Sequence, residues 1–125
     1  MIREYYDVEL HVENIGVIVA RLYRFHSPLT LSRLVSKLPL SSIMYNAGNK
    51  FLYILCDLGI GREGRIPHTK VKEGQLAYWP LRKYIVIALQ EMTLTPSCNV
   101  LGEIIEGKEL LRNIPGSVRV TVRLR

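Results

Sequence analysis

Asn99-Val100-Leu101-Gly102-Glu103-Ile104-Ile105-Glu106-Gly107-Lys108-Glu109-Leu110-Leu111 changes its period partway along, and the rest of the chain can be read outward from that change. Asn99 to Ile105 is aliphatic enough for a strand, whereas Lys108 to Ile114 puts Leu110, Leu111 and Ile114 on one side of a two-turn helix. Gly102 lets the strand bend or approach a neighbour, Gly107 sets the turn into the helix, and Pro115-Gly116 ends it. Beyond it Val118, Val120, Val122 and Leu124 alternate with Arg119, Thr121, Arg123 and Arg125, the pattern of a strand with one face turned inward.

Working toward the N-terminus, Lys83 to Leu89 is a continuous β-branched run, which predicts a central strand. Thr69 to Lys72, Lys50 to Cys56 and Ser42 to Tyr45 read as shorter strands, the last two around Asn46-Ala47-Gly48-Asn49. Leu31, Leu34, Val35 and Leu38 make an apolar helical stripe, opened by Ser27-Pro28 with a hydroxyl cap and closed by Pro39. Val8, Leu10 and Val12 alternate with acidic and polar residues, Asn14-Ile15-Gly16 turns, and Val17 to Tyr23 returns, giving a hairpin. Many short strands with two short helices and no repeat or linker predict a mainly β fold, a closed barrel whose ends the helices plug. A parallel α/β fold would need a helix after most strands.

The 125 residues make one domain over residues 1–125, and 17 Lys+Arg against 11 Asp+Glu give a net charge of +6. With 48% hydrophobic and 22% charged residues the composition is globular and excludes disorder. The longest uncharged stretch, Leu38 to Asn49, is well short of the roughly 18 apolar residues of a membrane span. Met1-Ile-Arg-Glu-Tyr-Tyr-Asp has no apolar signal core, so a cytoplasmic location is expected. Cys56 and Cys98 are far apart, and His11, His26 and His68 are isolated. Neither a zinc site nor a disulfide framework has the ligands it needs, and no metal or other cofactor is expected.

Three signals bear on chemistry. Gly59-Ile60-Gly61-Arg62-Glu63-Gly64 matches the dinucleotide fingerprint, but Pro67 stands where the required helix should extend. A flexible loop with two outward arginines is the better account. Arg62, Arg65, Lys70 and Lys72, then Arg82-Lys83, then Arg119, Arg123 and Arg125 are basic clusters in a chain with seven tyrosines. They keep a nucleic-acid-binding barrel open as an alternative, a disfavoured one because no basic stripe interleaves with aromatics. Tyr78-Trp79-Pro80 holds the only tryptophan, either a flat platform for a ligand or a core plug.

Asn99 to Leu111 also resembles the late strand-and-helix segment of cyclophilins: an apolar residue, Gly, a charged residue, two aliphatics, Glu-Gly, then an amphipathic helix. The chain is further similar to the smaller archaeal and bacterial cyclophilin-like proteins. Gly74-Gln75-Leu76-Ala77-Tyr78-Trp79-Pro80, Thr95-Pro96 and Asn99 to Gly107 match that group in order and approximate spacing. The resemblance implies a closed cyclophilin-like β-barrel with two short helices.

It also implies what a prolyl isomerase would carry, and there the match fails. Ile43 to Tyr53 has no arginine and no Phe-His-Arg-type motif, Cys98 stands at the pocket histidine, and Ile85-Val86-Ile87-Ala88-Leu89 replaces the phenylalanine-rich pocket strand. Twisting a prolyl bond over its roughly 18–20 kcal/mol barrier needs positioned electrostatics. The expectation is therefore a barrel that binds a peptide or small-molecule ligand in a surface cleft, without membrane attachment and without the usual isomerase residues. The cleft would lie between Tyr78-Trp79-Pro80, the strand Lys83 to Leu89 and the loop before Asn99. Tyr78, Trp79, Arg82, Cys98 and Asn99 are its expected ligand-binding residues. A divergent peptidyl-prolyl cis-trans isomerase using Arg82 as the missing cation is the alternative.

Overall fold

Strands that alternate inward aliphatics with outward polar or aromatic residues bury their apolar face most completely when the sheet closes on itself. The computed structural model, which describes residues 3–125, shows that closure. Met1 and Ile2, the start of the segment read for an export signal, lie outside the described residues. In chain order the elements are β1 (Tyr5–Val12), β2 (Gly16–Tyr23), α1 (Pro28–Ser36), β3 (Leu40–Ala47), β4 (Phe51–Leu55), β5 (Lys70–Val71), β6 (Gln75–Trp79), β7 (Tyr84–Ala88), β8 (Met92–Thr93), β9 (Asn99–Glu106), a 3-10 helix (Lys108–Asn113) and β10 (Ser117–Leu124). Eight of the strands form a closed barrel in the order β1-β10-β3-β4-β7-β6-β9-β2, and β5 and β8 pair separately. Every pairing is antiparallel.

The barrel is filled by the inward residues of all its strands, with Leu31 and Leu34 of α1 and Leu111 of the 3-10 helix packed into the same core. A second, smaller core lies on the outside. There Val71, Leu94 and Cys98 pack over Ala77 of β6 and Val86 and Ala88 of β7. Two cores explain why β7 is apolar on both faces. Ile85 and Ile87 point into the barrel, Val86 and Ala88 point out of it, and β4 and β6 flank the strand.

Two glycines are required by close approach. A Cβ on Gly102 would lie 1.8 Å from the carbonyl oxygen of Arg21, so β9 can cross β2 only with no side chain there. Gly107, with φ +79°, would put a Cβ 2.8 Å from the Val17 carbonyl.

Several local expectations are corrected. Lys108 to Ile114 forms a tighter 3-10 helix ending at Asn113. Gln75 to Trp79 is a barrel strand, which the aromatic motif had obscured. Ser27 does not cap α1, because a distant glutamate does so. Among the described residues no helix is long and apolar enough to cross a membrane.

Candidate functional site

Strand alternation separates the five residues expected in one cleft. Tyr78 points into the barrel, 1% exposed, and its hydroxyl accepts the Leu58 amide at 3.1 Å. Its neighbour Trp79 points outward and is half-buried. The indole Nε1 donates to the Thr95 carbonyl at 2.9 Å, Arg82 lies 6.0 Å over the ring, and Tyr84 meets it edge-on at 6.1 Å. Cys98 sits in the outer core, where burial pushes its thiol up to about 11 and so keeps it protonated at neutral pH. The Cys56 thiol is raised by burial as well, and the two cysteines are free.

Asn99 is a clasp. Its amide nitrogen donates to Thr30 Oγ1 and to the Gly61 carbonyl, both at 3.0 Å, while its oxygen accepts the Glu63 amide at 2.9 Å. Glu63 in turn accepts from the amides of Leu29 and Thr30 at 2.8 and 2.9 Å and from Thr30 Oγ1 at 2.7 Å. The carboxylate thus caps the N-terminus of α1, where the helix dipole favours negative charge. Arg33 adds bonds to the Leu58 and Gly59 carbonyls. The glycine-rich segment expected to be a flexible loop is bolted to α1 and β9. It does meet a helix N-terminus, but a protein carboxylate fills the place a phosphate would take.

So the structure brings Trp79 and Arg82 together on the outer wall and sets Cys98 and Asn99 side by side in a buried seam. Tyr78 joins neither pair. Next to Trp79 is a groove of about 500 Å³ lined by Arg62, Pro67, Pro80, Leu81, Pro96 and Ser97. Its three prolines fix the local backbone, and Leu81 is 63% exposed.

From Trp79 in the other direction runs a row of rings that the sequence did not reveal. Tyr84 stacks on Tyr53 at 4.2 Å, Tyr53 stacks on Tyr45 at 5.2 Å, and Phe51 leans on Tyr53 at 5.8 Å. Partial burial, reinforced by the adjacent Tyr84 and Tyr45 phenols, holds the Tyr53 phenol above its ordinary value. The row crosses β6, β7, β4 and β3, so it exists only once those strands pair. Phe51 and Tyr53 two apart on one strand were its one local signal.

An antiparallel eight-stranded barrel, helices against its interior and its distinctive side chains on the outer wall, defines the class. The cyclophilin-like family matches residues 22–123, and the chain belongs to that family. Its fold is similar to the solution structure of the hypothetical protein AF2241 from Archaeoglobus fulgidus. The TM-score is 0.80 at 20% identity, covering 98% of this chain and 96% of that one. It is also similar to a structure of McbB in complex with tryptophan, with a TM-score of 0.70 at 22% identity over 93% of this chain and 44% of that one. Identities this low carry the fold alone. No curated protein matches.

Proposed function

We propose that this cyclophilin-like barrel is a binding module that takes an extended peptide along its outer wall, across the proline-lined groove and the aromatic row, and that it does not accelerate prolyl isomerisation. The observation that carries the reading is how the rings are arranged. Tyr53 is stacked between Tyr45 and Tyr84, at interplanar angles of 24° and 21°, so it spends both its faces and they spend one each. What remains for a ligand is largely ring edges and phenol hydroxyls, which suit the alternating apolar and hydrogen-bonding groups of a peptide. Nucleobases need open ring faces, so the same arrangement disfavours nucleic acid. Arg82, the cation that a divergent isomerase would need, is engaged over Trp79 at the end of the row.

Trp79 is the only tryptophan, so intrinsic emission reports this wall. Titration with a panel of capped tetrapeptides should give a saturable emission change with at least some members, and Tyr53→Leu should weaken it by about tenfold. Free tryptophan, the ligand in the McbB structure, serves as the small-molecule comparator, followed by amide chemical shifts. If tryptophan saturates these shifts and no peptide does, the peptide reading fails. In a protease-coupled assay on an Ala-Pro peptide, turnover within about tenfold of a typical cyclophilin would overturn the non-catalytic half of the proposal.

A further inference from the structure

A second cleft of about 680 Å³, separate from the groove and the aromatic row, opens beside the Asn99 clasp. Its lining is cationic. Arg65, Lys70 and Lys72 face it, and among the described residues none of them pairs with a carboxylate within 4.0 Å. Of the two glutamates at the cleft, Glu63 is committed to the α1 N-terminus, leaving Glu91. His26 and His68 also line it, and His68 Nε2 donates to the Lys70 carbonyl at 2.7 Å, which holds that ring against β5. Ser27 also lines the cleft, 3% exposed, and because Glu63 caps the helix in its place, its hydroxyl makes no cap bond. Three cations in a concavity that holds one uncommitted carboxylate, Glu91, leave a net positive charge that raises the local concentration of anions.

We propose that this cleft binds a phosphorylated small molecule. Convergent cations with a hydroxyl match the three terminal oxygens of a phosphoryl dianion better than the two of a carboxylate. The cavity is larger than inorganic phosphate needs, and Ile66 and Val100 offer apolar surface to an organic moiety. This is not the dinucleotide mode suggested by the glycine pattern, since Glu63 occupies that helix end.

The test is a titration of the uniformly 15N-labelled full chain with AMP, adenosine, inorganic phosphate and sodium chloride at matched ionic strength. AMP should shift the amides of Ser27, Gly64 and Cys98 saturably and more tightly than inorganic phosphate. The double variant Lys70→Gln/Lys72→Gln should weaken AMP by about tenfold or more, while Arg119→Gln on the far wall leaves it unchanged. Ser27→Ala should weaken AMP without lowering the melting temperature. Adenosine matching AMP, chloride reproducing the shifts, or no saturation at millimolar AMP would each overturn the proposal. Equal affinity for phosphate and AMP would overturn its organic half.

Discussion

The two halves of the barrel wall share an interior and differ outside. Across β1, β2, β9 and β10 many outward positions carry charge, most of it paired, with Tyr5 and Tyr23 meeting at one end of the β1–β2 hairpin. Arg21 holds Asp7 through two bonds of 2.8 and 3.0 Å. Glu9 meets His11, Arg123 and Arg125, and Arg125 also reaches Glu106 at 3.2 Å. Across β3, β4, β7 and β6 the same positions carry Tyr45, Tyr53, Tyr84 and Trp79. Closing the barrel dictates the inward residues of both halves alike, so the interior says nothing about function. The outward residues were free to diverge. Exposed ion pairs are worth only about 0–1 kcal/mol each, and charges already paired with one another offer a partner little. Partly uncovered rings offer more. That difference is what favours the β3-β4-β7-β6 side in the proposed peptide reading.

Tyr78 and Trp79 are adjacent residues on opposite sides of the wall. Tyr78→Ala empties a space in the barrel core and should cost about 3–5 kcal/mol. Tyr78→Phe keeps the ring but strands the buried Leu58 amide, for about 1–3 kcal/mol. Urea melts followed by far-UV circular dichroism measure both. If Tyr78→Ala proved as mild as a surface change, the separation of inner from outer wall would fail. Trp79→Ala removes a half-buried ring, one hydrogen bond and the Arg82 contact, and should cost about 1–2 kcal/mol while abolishing peptide binding. Circular dichroism is again the readout, since the fluorophore is gone. A loss as large as that of Tyr78→Ala would make Trp79 a core residue and take the aromatic row's end away.

These two residues also show where sequence stops being legible. The barrel could be read because alternation is local: Val8, Leu10 and Val12 in β1 and the valines of β10 declare their inward face unaided. β7 could be read as central because Ile85 to Ala88 is apolar on both sides, although the outer core that makes it so could not. Tyr78 and Trp79 were expected to share a cleft because they share a motif, and a strand's period of two separates them. The aromatic row depends on register. Tyr45 lies directly opposite Tyr53, and Tyr84 comes in diagonally from β7, pairings that no spacing along the chain encodes. The glycine segment was judged by the helix that fails to follow it, whereas the helix it serves, α1, precedes it. Cys98 and Asn99 were placed together in a cleft and do line one, the cleft beside the clasp, although both are largely buried and Asn99 spends its amide on holding the loop.

The Glu63 clasp should contribute less than the Tyr78 core ring. Glu63→Gln removes charge from the α1 N-terminus but keeps an acceptor, and should cost about 0.5–1 kcal/mol. Glu63→Ala removes both and should cost about 1–2 kcal/mol. Equal losses would mean that only the carboxylate's charge matters. No loss from either would show that Asn99 alone holds the segment.

The smallest effect lies on the ionic half and is visible as a pH dependence. The hydrogen bond from Arg21, aided by the guanidinium's charge and opposed by partial burial, holds the Asp7 carboxyl below its ordinary value of 3.8. A carboxyl depressed in the folded state adds stability above its unfolded value and loses it as pH falls through the folded one. Asp7 and Arg21 side chains are 20% and 33% exposed, so solvent screens the pair and its contribution should stay near or below 1 kcal/mol. Asp7→Asn should therefore be less stable than the parent by that amount at neutral pH, with the gap constant down to about pH 5. Below the ordinary carboxylate range the two should converge. Added salt should shrink the gap as well. Urea midpoints of parent and variant at neutral pH and below about pH 3 decide it. A gap that widened in acid would reverse the sign and mean that Asp7 stabilises the wall in its protonated form. A gap of several kcal/mol at neutral pH would make the ionic half as demanding as the aromatic one.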